Sequence, residues 1–222
     1  HYDEDEIFYK NMYFEEKNHP ATFHDYCLGL DRDLISDHRL FVPELRTEAW
    51  YPYMEEKDLF GNLTGNIMFA KHYRYTPLFV HEHEFFEILC MYDGTAQTTI
   101  QGISHTLHTG DICIIPPHTK HSVGVFDDSI AVNILIRGTT FQSTFFQPLT
   151  ADSALAQFFA HVLYRKTEGN YLIFHTGNDV RICDMLETMY IEHLAHEKYS
   201  YTFLNSMLIL FWAMLLRYHE ND

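Results

Sequence analysis

Two histidines and a glutamate stand at positions 81, 83 and 87 in HEHEFFEILCMYDG, and a third histidine closes GDICIIPPHTKH at position 121. Side chains in a strand alternate between faces, so His81, His83, Phe85, Glu87 and Leu89 share one side while Glu82, Glu84, Phe86 and Ile88 take the other. Two imidazoles and a carboxylate then converge on one wall, and His121 is placed to join them from a neighbouring strand. Such a set can ligate one divalent transition metal (Zn, Ni, Mn or Fe) with positions left open for water or substrate. The same four residues can equally hydrogen-bond a small polar molecule, and both readings stand at this point. His105, His108 and His118 fall in turn-like segments and read as solvated loop residues. Tyr73, Tyr92, Gln97 and Asn133 lie on expected strands, where pocket-lining and core or surface positions are equally open.

The elements that must position these groups come in three regions. Residues 1 to about 65 mix charged and short apolar segments, and the run DEDE at 3 to 6 reads as a solvated terminus. From about 66 to 137, short β-rich runs such as NIMFAKHYRY, DICIIPP and IAVNILIRG are separated by Gly, Pro and Asp, the pattern of an antiparallel sandwich or barrel. After Gly177 the spacing becomes helical: Ile182, Met185, Leu186, Met189, Tyr190 and Leu194 form one apolar face. A last helix, from about Tyr201 to Tyr218, carries two apolar seams. One is Leu204, Leu208, Phe211 and Leu215, which we assign to a dimer interface; the other is Phe203, Met207, Leu210 and Met214, leading to Arg217.

The motifs of the β region resemble those of the cupins. His81, His83, Glu87 and Gly94 match the first cupin motif, and Gly110, Pro116 and His121 the second. The departures are Tyr75 and His118, where glycine is usual, and Val125 in place of a terminal Asn. Over roughly residues 65 to 220 the chain is similar to the N-terminal half of AraC-family transcriptional regulators. The resemblance implies a mainly β cupin (double-stranded β-helix, jelly-roll) barrel followed by C-terminal helices. It implies a cupin effector-binding domain over 1–150 with an N-terminal extension, and a helical dimerisation region over 151–222. It further implies that the DNA-binding helix-turn-helix domain is absent from this chain, which ends at Asp222 where such a domain would begin. The expected function is sensing of a small polar effector, a sugar first among them, by a cytoplasmic homodimer that meets DNA only through the missing domain. His81, His83, Glu87 and His121 would contact effector or metal. The alternative is a metal-dependent cupin enzyme, a dioxygenase or isomerase.

Composition excludes some classes. With 15 Lys and Arg against 31 Asp and Glu, the formal charge is −16, the wrong sign for holding nucleic acid through phosphate contacts. The four cysteines form no CxxC pair or disulfide-framework spacing, as expected in a reducing cytosol. The acidic first residues lack the pattern of a signal peptide. The longest apolar run, MLILFWAMLL, has ten residues, too few to cross a bilayer. Neither GxSxG nor a phosphate-binding glycine motif occurs.

Overall fold

The run FEILCMYD is apolar at nearly every position, which suits a strand only when both of its faces are covered. The computed structural model describes residues 2–16, 53–61, 65–76, 78–141 and 171–219, and shows what covers them. Its elements are α1 (Glu4–Glu16), β1 (Tyr53–Met54), α2 (Glu56–Phe60), β2 (Ile67–Lys71), β3 (Glu82–His83), β4 (Phe86–Asp93), β5 (Thr95–Ile100), β6 (Ile103–His108), β7 (Asp111–Ile115), β8 (His121–Gly124) and β9 (Ile130–Ile136). A helical turn at Gly138–Thr140, β10 (Leu172–His175), α3 (Val180–Ala195) and α4 (Ser200–His219) complete it.

Five strands form one antiparallel sheet in the order β10-β7-β4-β9-β2, and three form a second in the order β6-β5-β8. Leu89, Met91, Ala96, Ile100, Leu107, Cys113, Ile115, Val123, Val125 and Ala131 fill the space between them. On the other face of the five-stranded sheet, Phe86, Ile88, Cys90, Ile112, Ile114, Ile134 and Ile136 are sealed by α3 and α4. The architecture is the expected cupin-type jelly roll followed by helices. β4 is thus the central strand of a sheet with two buried faces, and its alternation sorts Leu89 and Met91 inward from Ile88 and Cys90 outward.

Two glycines of the motifs are required by close approach. A Cβ on Gly94 would lie 1.9 Å from Ser129 Oγ, and one on Gly110 would lie 1.6 Å from the Gly177 carbonyl oxygen. Both also have positive φ, 79° and 87°. The two positions where the chain departs from glycine, Tyr75 and His118, hold positive φ as well, at 63° and 60°. A non-glycine residue in this region costs about 1–2 kcal/mol, so the surroundings must hold it there.

Three expectations are corrected. Leu204, Leu208, Phe211 and Leu215 are no free dimer seam: all are buried, Leu208, Phe211 and Leu215 completely, against the outer face of the chain's own sheet. That face presents isoleucines and phenylalanines from several strands and needs an apolar stripe to cover it. On the other stripe Phe203 is 59% and Leu210 50% exposed, while Met207 and Met214 are half-buried against the same core. The division expected at residue 150 lies outside the described residues, but within the stretch expected to be helical Leu172–His175 form β10, which pairs with β7 in the sheet. Finally, Glu6 of the supposedly solvated DEDE run is fully buried. Its Oε1 accepts from the Arg74 amide at 3.1 Å and Arg74 Nε at 2.9 Å. Its Oε2 accepts from Arg74 Nη2 at 2.8 Å, Lys71 Nζ at 2.9 Å and the Asp3 amide at 3.1 Å.

By length and composition alone α4 is long and apolar enough to cross a membrane. In the fold its Leu204–Leu208–Phe211–Leu215 stripe, with Trp212, packs on the sheet instead.

Candidate functional site: a histidine and glutamate cluster inside the barrel

The cluster is assembled by backbone pairing first. His81 and His121 exchange both backbone hydrogen bonds, at 2.8 and 2.9 Å, as an antiparallel pair, which brings their rings to 4.2 Å between centroids. The His83 carbonyl accepts the His118 amide at 2.8 Å, tying the loop before β8 to β3. Glu87 lies one turn of the pleat further along β4, opposite Ile115 on β7 and Leu135 on β9. Across the strand, the outward Glu84 fixes the surroundings: its carboxylate accepts from Tyr53 Oη at 3.1 Å and from the Glu56 amide at 3.0 Å. His118, in its left-handed conformation, stacks on the Tyr53 ring at 6.0 Å.

All four expected residues converge, and all are buried. His83 Nε2 lies 3.0 Å and His121 Nε2 3.3 Å from Glu87 Oε2. The ligating atoms of His81, Glu87 and His121 lie within 4.8 Å of one another. Each imidazole is oriented through its other nitrogen, with Nδ1 facing a backbone carbonyl: Phe79 for His81 at 3.1 Å, Phe85 for His83 at 2.7 Å and Thr119 for His121 at 2.9 Å. The His83 ring also stacks on Phe85 at 4.1 Å. Burial pushes the Glu87 carboxyl up, but the His121 and His83 imidazoles beside it outweigh that and hold the group well below the usual carboxylate range.

This donor set fits a first-row metal ion. Nδ1 bound to a carbonyl oxygen directs Nε2 inward, the outer hydrogen bond that commonly orients a ligating histidine. His121 Nε2 is sealed from solvent 3.3 Å from the Glu87 carboxylate, and without a proton its lone pair would repel that group. A proton or a cation between them removes the repulsion, and bonds of about 2.1 Å would draw these atoms together only slightly. His81, Glu87 and His121 would hold the ion, with His83 beside Glu87, and the ion would supply Lewis acidity.

Sequence reasoning passed over His72. Its amide donates to the Ala131 carbonyl at 2.9 Å, which extends the β2–β9 ladder by one residue and points the ring into the barrel with Ala131. There it bonds the backbone of Val123, and burial holds its pKa below the ordinary value while the charge of Glu87 opposes that shift. The signal was the alternation of β2, in which Met68, Ala70 and His72 share a face, but it needed the strand's register. Of the remaining expectations, Asn133 faces the same interior, in line with Ala131 on β9. Gln97 is exposed and bonded to Thr106. His105 and His108 belong to β6 rather than to turns, and His105 Nε2 meets Tyr171 Oη at 2.7 Å. Tyr92 lies on the other side of the sheet, where it lines a cleft of about 370 Å³ with Lys71, Val132, Leu186, Tyr190 and Leu194.

With this geometry in hand, relatives can be compared. Residues 67–170 match the family model described as the AraC-like ligand binding domain. This segment is an AraC-like ligand-binding domain. The HTH-type transcriptional activator RhaS of Yersinia pestis (strain Pestoides F) is 32% identical over 57 residues, which cover 26% of this chain and 21% of RhaS. The chain thus matches only about a fifth of the length of its curated relatives. Among solved structures, apo ToxT from Vibrio cholerae is similar with 14% identity and a TM-score of 0.48, covering 68% of this chain and 56% of ToxT. A cupin-like protein from Thermotoga maritima shares 20% identity with a TM-score of 0.30, over 36% of this chain and 65% of its own.

Proposed function

We infer that this AraC-like domain is the effector-sensing half of a transcriptional regulator. A small polar effector, with sugars the first class to test, enters the barrel beside His81, His83, Glu87 and His121. The observation that carries the reading is a buried, pre-oriented polar cluster inside a barrel of the ligand-binding family. By binding two arrangements of the domain unequally, the effector biases how a dimer presents DNA-reading units. A net charge of −16 does not suit phosphate contacts, so in this reading DNA is met through helix-turn-helix units outside these 222 residues. Homodimerisation falls to the exposed side of α4 around Phe203 and Leu210, and the setting is cytoplasmic.

A second reading is favoured by one observation, the buried His121 Nε2 facing the Glu87 carboxylate. In it the cluster holds one divalent ion, and the domain is a metal-dependent enzyme or a sensor with a resident metal. Calorimetry and thermal shift against neutral saccharides, and against Zn, Ni, Mn and Fe separately, divide the readings, because selective binding to the folded state raises the melting temperature. A saccharide response lost in Glu87→Ala supports sensing. One transition metal per chain by elemental analysis, together with turnover of a bound ligand, replaces it with the enzyme.

A further inference from the structure

Buried polar atoms almost always find a partner. On the interior wall of this barrel, among the described residues, three do not: His121 Nε2, His72 Nε2 and Asn133 Oδ1. They belong to separate elements. His121 opens β8, His72 follows β2, and Asn133 lies in mid-β9, between Ala70 on β2 and Leu89 on β4. The inward face of β9 is set by Ala131, which is part of the inter-sheet core, so Asn133 two residues on has the same orientation and His72 lies across from Ala131. The other nitrogen of His72 serves the Val123 backbone, which leaves a lone pair on Nε2. His72 Nε2 and Asn133 Oδ1 are therefore unpaired acceptors, and the Glu87 carboxylate, whose charge reaches His72, accepts too.

We propose that His72 and Asn133 are specificity-determining effector contacts, and that the acceptor wall they form with Glu87 takes a neutral, hydroxyl-rich ligand and turns away carboxylates and phosphates. The proposal rests on the effector-sensing reading above. Hydroxyl groups donate to each of these atoms and satisfy them without bringing charge. An anion meets the Glu87 carboxylate in a low-dielectric interior, where like charges repel strongly. Unpartnered acceptors destabilise the ligand-free fold, as groups kept for a ligand do.

The test pairs neutral and acidic forms of one skeleton on this 222-residue chain. Thermal shift and calorimetry compare galactose with galacturonate and galactose phosphate, and ribitol with ribonate. Neutral members bind and their anionic counterparts do not. His72→Phe and Asn133→Leu each weaken that binding at least about tenfold, and His72→Gln, whose amide reaches the same place, restores most of it. Without ligand, Asn133→Leu melts at or above the wild-type temperature, because it removes an unpaired acceptor. Acids that bind as well as the neutral forms overturn the proposal. So do variants that bind like wild type, or an Asn133→Leu protein that melts well below it, which would make the residue structural. A panel with no binding of any kind defeats the sensing reading itself, and the ligand-free melting of Asn133→Leu then still decides whether that acceptor is unpaired.

Discussion

Replacing Glu6 by glutamine should release helix α1. The carboxylate is completely buried and collects five donors, three of them from Arg74, whose own side chain is only 7% exposed. Burial alone would raise the Glu6 pKa, yet the bonds from Arg74 and Lys71 lower it from 4.5 to about 2. At about 1.4 kcal/mol per pH unit, that gap corresponds to about 3 kcal/mol. Removing one partner of a buried ion pair costs roughly 3–5 kcal/mol, in agreement. Because the folded-state pKa lies below the unfolded one, this stability is complete above pH 4.5 and is lost as pH falls toward 2. The assay is limited proteolysis of α1 under native conditions, with thermal unfolding alongside. A loss of about 3 kcal/mol raises the population of released helix roughly a hundredfold at pH 7, and the cleavage rate with it. Near pH 2 the wild type should be cleaved almost as fast as Glu6→Gln. Cleavage within threefold of wild type at pH 7 (a threshold of about 0.6 kcal/mol) would refute the reasoning, as would a difference that persists undiminished in acid.

Two further substitutions probe the fold. Leu208→Ala empties a fully buried position between α4 and the sheet and should cost about 2–5 kcal/mol in chemical denaturation, whereas Phe203→Glu with Leu210→Glu should leave stability unchanged while converting dimers to monomers in sedimentation; the reverse pattern would return the dimer seam to Leu208. Gly110→Ala must fit a Cβ 1.6 Å from the Gly177 carbonyl at a φ of 87°, so its melting temperature should fall sharply, and a melt like wild type would show that the turn into β7 moves freely.

The sequence by itself determined what depends on neighbours along the chain. The period-two alternation placed His81, His83 and Glu87 on one wall, and all three are there. The helical spacing after Gly177 located α3 and α4 within a residue or two of their ends. Contacts between distant segments were not written in any local pattern. The two stripes of α4 are equally apolar, and only the isoleucine-rich outer face of the sheet selects Leu204, Leu208, Phe211 and Leu215 for burial. Glu6 looks like part of an acidic tail until Arg74, 68 residues away, closes on it. His72 stands in an unremarkable stretch, and it joins the site only because β2 pairs with β9 and the barrel brings its ring to β8. Local periodicity chooses which face a residue is on; the tertiary structure decides what that face meets, because strand partners and helix docking are settled by burial summed over the whole chain.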